Sequence, residues 1–247
     1  MFKFFGKLAK AFGASKAPFT SVIILCAGAS TRFGSDKQMV NICGKGVAER
    51  TIGVFESVEQ IDEIVLVVPK ESTQEYQDIV LQNEFKKVRA IVTGGETRQI
   101  SASRGLRHVS EKAKYIAVHD GARCLVTPEM ILTVLVEAVE NKCATAACQM
   151  TDTIKLSTDE GFVKRTVDRS LLWSVQTPQI FEAELYKVAT YKAMQEEIEV
   201  TDDCMLAENA GFKIKLVETG KDNIKITRPA DVALAEYILA NRKESEL

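Results

Sequence analysis

Four stretches of the chain carry residue types suited to handling phosphates. In the first, the small residues Ala27, Gly28, Ala29, Ser30 and Thr31 are followed by Arg32 and, five positions later, Lys37. Small residues let a backbone approach a ligand closely, and two cations beside it would make a phosphate cradle. A plain strand-to-helix turn with solvated Arg and Lys accounts for the same spacing. The stretch is not a Walker A loop, since G-K-[ST] is absent, nor a dinucleotide fingerprint, since only Gly28 and Gly34 are present. The second stretch, Gly94-Gly95-Glu96-Thr97-Arg98-Gln99-Ile100-Ser101, sets a tight turn before a helix. Backbone groups there could hold a base or ribose, although capping of the helix by Thr97 is the simpler explanation. The third, Asp120-Gly121-Ala122-Arg123, offers a carboxylate that would hold Mg²⁺ if it faced phosphates, or a turn former paired with Arg123. The fourth, residues 222–227, carries Lys225 on what reads as a short strand. Arg169 stands no stronger by itself, because it could equally pair with Asp168 or Asp152. Trp173 reads as a core or interface anchor.

The elements that must hold these loops alternate between strand and helix. An apolar run at 22–25 leads into the first small-residue loop, as a buried strand would. A helix at 47–57, a strand at 61–68 ending before Pro69, a helix at 72–81 and a strand at 88–92 follow. Gly94-Gly95 then turns the chain into a helix at 98–109, and a strand at 115–118 delivers His119 and Asp120 to its C-terminal end. Residues 128–141 read as a helix with Pro128 in its first turn, and 144–150 as extended. Between 151 and 168 the pattern becomes polar and β-branched around Asp159-Glu160-Gly161, which is hairpin chemistry and predicts an arm projecting from the sheet. Helices at 182–193 and 201–210, a strand at 213–217 and a closing helix at 229–241 complete the chain. This order predicts an α/β fold of three layers with a mostly parallel central sheet, its ligand site lying beyond the strand C-termini.

Composition bounds the function. At 247 residues the chain has room for one large domain, expected over 20–245 with the arm at about 151–170, preceded by an extension over 1–19. That extension carries Lys3, Lys7, Lys10 and Lys16 with Phe2, Phe5, Leu8 and Phe12 near helical spacing; a segment packed on the body or frayed in solvent is the expectation, and weak membrane-surface contact the alternative. With 32 Lys and Arg against 34 Asp and Glu, the net charge of −2 argues against general nucleic-acid binding. No apolar run reaches the roughly 18 residues of a membrane span. The six cysteines contain no C-x-x-C and fit a reduced cytoplasm as small buried hydrophobes. Only His108 and His119 are available, which disfavours a His-rich metal site or a Ser-His-Asp hydrolase and leaves the chemistry to Lys, Arg, Asp and backbone.

Taken together these residues resemble the 2-C-methyl-D-erythritol 4-phosphate cytidylyltransferase family over about residues 20–240. The likeness rests on the run from Ala27 to Phe33 with Lys37-Gln38, Gly94-Gly95 with Thr97-Arg98 and Ser101, and His119-Asp120-Gly121-Ala122-Arg123. It continues through Asp152-Thr153-Ile154-Lys155, Arg169 with Leu172-Trp173, Gln176-Thr177-Pro178-Gln179, Thr201-Asp202-Asp203 and Asn223-Ile224-Lys225-Ile226-Thr227. The resemblance implies a Rossmann-like nucleotidyltransferase fold whose protruding β-arm exchanges across a homodimer. It implies that Arg32 and Lys37 stabilise the transition state at the α-phosphate of CTP, and that Arg169 and Lys225 position the acceptor phosphate. Ala27, Gly28, Gly95, Ser101 and Gly121 would line the cytidine site, and Asp120 would join them there and hold Mg²⁺. Thr153 and Arg169 would serve the partner subunit's site, with Thr177 and Thr201 on the acceptor side.

Four features depart from the family pattern. Asp36 stands before Lys37 where Pro is usual, Met39 and Val40 follow Gln38 where an aromatic is common, Cys124 replaces a Pro, and residues 1–18 precede the usual start. The implied reaction joins CTP to methylerythritol phosphate in isoprenoid biosynthesis. Alternatives are transfer to ribitol 5-phosphate or a related polyol phosphate, and a non-catalytic CTP-binding regulator; a dinucleotide oxidoreductase lacks its glycine fingerprint.

Overall fold

The computed structural model describes residues 17–28, 33 and 36–242. Arg32 and nearly all of the cationic extension lie outside the described residues. The central sheet has seven strands in the order β11-β7-β10-β6-β1-β4-β5. Its strands are β1 (Thr20–Leu25), β4 (Glu63–Val68), β5 (Val88–Thr93), β6 (Tyr115–Asp120), β7 (Cys143–Gln149), β10 (Trp173–Glu182) and β11 (Lys215–Glu218). Strand β1 pairs in parallel with β4 on one side and β6 on the other, β4 with β5, and β7 with β11. The exception is β10, which runs antiparallel to both β6 and β7.

Every residue of β1 and β4 is buried, as expected of unbroken apolar runs covered on both faces. Side chains alternate across the pleat, so β1 feeds both cores. Val22, Ile24 and Cys26 join Ile52 and Phe55 of α1 (Val47–Ser57), Tyr76 of α2 (Thr73–Gln82) and Val134 and Leu135 of α4 (Pro128–Asn141). Ile23 and Leu25 join Ala102 of α3 (Arg98–Leu106), Leu185 and Tyr186 of α5 (Ala183–Gln195) and Leu206 of α6 (Asp203–Asn209). This is the three-layer arrangement. The closing helix α7 (Ala230–Asn241) buries Ala235 in a smaller cluster with Ile42, Leu125 and Ile226.

Four details correct the sequence reading. A two-stranded hairpin, β2 (Asn41–Ile42) and β3 (Lys45–Gly46), turns at Cys43 and Gly44, both with positive φ. Helix α3 stops at Leu106 rather than 109. Residues 222–227 form no strand; the Ile226 N–H instead donates to the Ala122 carbonyl at 2.8 Å, tying Lys225 to the loop after β6. Strand β10 was not expected, because Gln176, Thr177 and Gln179 are polar and Pro178 breaks a ladder. Those three polar residues are buried, and the pairing of β10 with β7 shifts register between Val175 and Gln179. The arm is present as β8 (Lys155–Ser157) paired antiparallel with β9 (Val163–Thr166), all exposed. Among the described residues no helix is long and apolar enough to cross a membrane.

Candidate active site

Strand β1 has neighbours reached by opposite routes, β4 through α1 and β6 through the far side of the fold, so the crevice beyond its C-terminus is a topological switch point. A cavity of about 440 Å³ opens there, and all four chemically suspect stretches reach it. Its walls are Leu25, Ala27 and Gly28 after β1, Lys37 and Gln38, residues 95–98 with Ser101 at the start of α3, Asp120 and Ala122 after β6, and Lys225.

Close backbone approach explains the glycines. A Cβ on Gly94 would stand 2.2 Å from the Ala27 Cβ, and one on Gly95 would stand 2.2 Å from Ile100 Cγ2. A Cβ on Gly121 would fall 2.4 Å from Cys26 Sγ. The Gly95 N–H donates to Ser101 Oγ at 2.9 Å, which pins the turn against α3. The Thr97 hydroxyl oxygen accepts from the Ile100 N–H at 3.1 Å, so Thr97 caps the helix and its loop walls the cavity as well. Asp36 takes over part of what a proline would do: its Oδ1 accepts from the Gln38 N–H at 3.0 Å, restraining the turn that carries Lys37.

Asp120 is the electrostatic centre. Its Oδ1 meets Arg98 Nε at 3.2 Å, and its Oδ2 meets Lys225 Nζ at 2.7 Å and Arg123 Nε at 3.9 Å. Burial alone would push this carboxyl up; Arg98, Lys225 and Arg123 overcome that and hold it well below the usual carboxylate range. Arg98 is shared with a second buried acid, its Nη1 lying 2.5 Å from Asp203 Oδ2. Three cations thus face two carboxylates, and of the charged side chains on the cavity itself Lys37, Arg98 and Lys225 outnumber Glu96 and Asp120, so the site favours anions.

Behind Asp120, polar contacts run into the core. The Asp120 N–H donates to Thr177 Oγ1 at 3.0 Å, and that hydroxyl in turn meets His119 Nδ1 at 3.0 Å. His119 Nε2 faces the Arg123 carbonyl at 3.3 Å. Since Thr177 accepts from the amide, its own hydrogen goes to Nδ1, and the imidazole donates from Nε2 to Arg123. Burial drives the His119 pKa down to about 3, against the opposing pull of Asp120. The ring is a neutral strut.

Of the expected residues, Ala27, Gly28, Lys37, Gly95, Ser101, Asp120 and Lys225 line the cavity, and Gly121 underlies it. Thr177 is buried and does not line the cavity, its hydroxyl meeting the Asp120 N–H and His119 Nδ1. Thr201 also misses the cavity, its hydroxyl pointing to Met205 Sδ at 3.0 Å. Thr153 and Arg169 lie at the arm, where Arg169 Nη1 donates to the Thr151 carbonyl at 2.8 Å; this chain does not bring them to its own cavity. Both oxygens of Asp120 are engaged by cationic side chains, and among the described residues no group of three or more His, Cys, Asp or Glu could hold a metal ion. A Mg²⁺ held chiefly by substrate phosphates needs only one or two carboxylates, and the acids on the cavity wall are Asp120 and Glu96. Residues that the sequence reading left out of the site are Arg98, Gln38, Glu96 and Ala122 on the cavity and Asp203 behind it. Arg98 followed the Gly-Gly turn in plain view, but its pairing with Asp203 joins residues more than a hundred positions apart and leaves no local signal.

Comparison with known proteins agrees with this geometry. The family model for 2-C-methyl-D-erythritol 4-phosphate cytidylyltransferase matches residues 20–241. The enzyme of that name from Caldanaerobacter subterraneus subsp. tengcongensis is 42% identical over 222 residues, covering 89% of this chain and 98% of the relative. The one from Alkaliphilus oremlandii is 39% identical over 228 residues, 91% of this chain and 97% of the relative. Among solved structures, 4-diphosphocytidyl-2C-methyl-D-erythritol synthase from Anaerococcus prevotii superposes with a TM-score of 0.82 at 31% identity, covering 90% of this chain and 96% of that one. The Thermus thermophilus cytidylyltransferase gives 0.74 at 28% identity, over 90% and 99% of the respective chains.

Proposed function

The chain belongs to the 2-C-methyl-D-erythritol 4-phosphate cytidylyltransferase family, and on that premise we propose that its cavity is where CMP passes from CTP to 2-C-methyl-D-erythritol 4-phosphate. An oxygen of the acceptor phosphate attacks the α-phosphorus, forming the new P–O bond of 4-diphosphocytidyl-2-C-methyl-D-erythritol. The bond between the α-phosphorus and its bridge to the β-phosphate breaks, and pyrophosphate leaves with the electron pair. The nucleophile is already ionised at neutral pH, so no general base is required, in keeping with a buried neutral His119. The barrier is the approach of two anions and the charge that builds on the departing pyrophosphate, which positioned cations offset.

The observation that carries this reading is the meeting of Lys37 and Lys225 on one cavity that is also lined by the close-packed turn at Gly95 and Ser101. Lys37 acts with Arg32 on the α-phosphate, Lys225 meets the acceptor phosphate, and cytidine lies along Ala27, Gly28, Gly95, Ser101 and Gly121. Mg²⁺ enters as the counter-ion of the triphosphate. Arg169 and Thr153 complete the acceptor side of the partner subunit's site in a homodimer, and the exposed apolar side chains Phe162, Val163 and Leu171 in and beside the arm supply a surface for that association. The test is pyrophosphate release by purified protein with CTP and Mg²⁺, using methylerythritol phosphate and ribitol 5-phosphate as separate acceptors. Release with the first and little with the second is expected; a preference for ribitol 5-phosphate would overturn the acceptor assignment.

A further inference from the structure

The cavity is backed by charge that no substrate would touch. Asp203, the first residue of α6, is buried, and its two oxygens take a hydrogen bond from the Tyr186 hydroxyl at 2.6 Å and the Arg98 guanidinium at 2.5 Å. The position of Asp203 is itself fixed: its N–H and that of Cys204 donate to Gln179 Oε1 at 3.0 and 3.1 Å, while Gln179 Nε2 donates to Asp202. Strand β10 thereby clamps the first turn of α6, and α6 presents one carboxylate to Arg98. From there the charges alternate in sign: Asp203, Arg98, Asp120, Lys225.

We propose that Asp203 is a positioning residue for the transfer reaction, holding Arg98 so that Asp120 keeps one oxygen for Lys225. This rests on the assignment of Lys225 to the acceptor phosphate. A guanidinium deprived of one carboxylate turns its fork onto the other, because bidentate pairing is its strongest mode. With Asp203 neutralised, Arg98 therefore takes both oxygens of Asp120, and Lys225 loses the anchor that sets where its ammonium stands. Tyr186 strengthens the hold through its hydroxyl, its ring stacked on Phe181 with centroids 5.0 Å apart.

The experiment is a double-mutant cycle of Asp203→Asn with Arg98→Gln, read in steady-state kinetics and in CTP affinity. Asparagine keeps the shape and the backbone contacts to Gln179 and removes the charge. Asp203→Asn alone is expected to lower kcat about tenfold and raise the acceptor KM severalfold, with the CTP Kd within about twofold of wild type. In the Arg98→Gln background the same change should cost nothing further and should recover stability, since it removes a buried carboxylate left without its cation. Multiplying losses in the double variant, or an Asp203→Asn enzyme equal to wild type, would overturn the proposal. Should Asp203→Asn not fold, Tyr186→Phe in the same cycle decides by the same rule, with a smaller first step. A wild-type protein that releases no pyrophosphate from CTP and methylerythritol phosphate fails the reading beneath the proposal; an active wild type with an additive cycle fails the proposal alone.

Discussion

Protonation separates the polar residues that meet at the end of β6. Asp120 stays charged because three cations outweigh its burial, whereas His119 stays neutral because burial outweighs the adjacent carboxylate. The folded His119 pKa of about 3 lies below the usual 6.5 of an unfolded chain, so the unfolded state takes up the proton first. Stability is therefore intact above about pH 6.5 and falls as the pH drops towards the folded value, by at most ~1.4 kcal/mol per pH unit from this group. Urea denaturation between pH 7 and 5 should show that slope, above the range where Asp120 contributes its own loss. In His119→Gln, which keeps polar partners for Thr177 and Arg123, the slope should flatten; an unchanged slope would place the proton uptake elsewhere. Lys37 belongs to the other class, a cation on the cavity wall. Lys37→Ala should lower kcat by roughly 10²–10³ with a much smaller change in CTP affinity, as loss of a contact made in the transition state requires. Equal losses in both would make Lys37 a ground-state anchor.

The elements that place these residues were unequally legible. Strands β1, β4 and β6 and helices α1 and α4 fall within about two residues of the sequence reading because each is an uninterrupted apolar run or a capped periodic one. Strand β10 was hidden because its buried stretch includes the polar Gln176, Thr177 and Gln179, whose partners lie on α6, β6 and the 222–227 segment. For the same reason the loops of the site could be read and their wiring could not. Ala27, Gly95, Ser101 and Lys225 enter the site through the ordered set of motifs that carries the family resemblance, while the commitment of Thr177 to His119 and of Asp120 to three cations exists only once the sheet has assembled. One turn offers a direct trial of how tightly the wall is built. In Gly94→Ala the new methyl would stand 2.2 Å from the Ala27 Cβ, on a short side chain that can yield only by moving the end of β1. CTP affinity should fall by about tenfold or more while far-ultraviolet circular dichroism is preserved. Binding at wild-type strength would mean that the loop after β1 yields freely.

At the scale of the molecule, the arm leaves the sheet at the edge where β6 delivers Asp120 to the cavity. Strand β7 runs in the same direction as β6 and ends on the same edge of the sheet; β8 and β9 follow, and β10 carries the chain back in the opposite sense. If Arg169 works in its partner's site, Lys37→Ala and Arg169→Ala proteins, each inactive, should regain activity when mixed, since one of the two sites in a heterodimer is then intact. Recovery of up to about a quarter of wild-type turnover is expected from random mixing of two subunit types. No recovery in demonstrated heterodimers would return Arg169 to its own subunit. The reversed strand has a further effect. By bringing the chain home along the edge from which it departed, β10 would let the proposed loan of residues between subunits be made at the C-terminal edge of β6 rather than at the far end of the sheet. If subunits lend to one another in this way, catalysis becomes a property of encounter: specific activity should decline on dilution, return on concentration, and track the dimer fraction measured by analytical ultracentrifugation at the same protein levels.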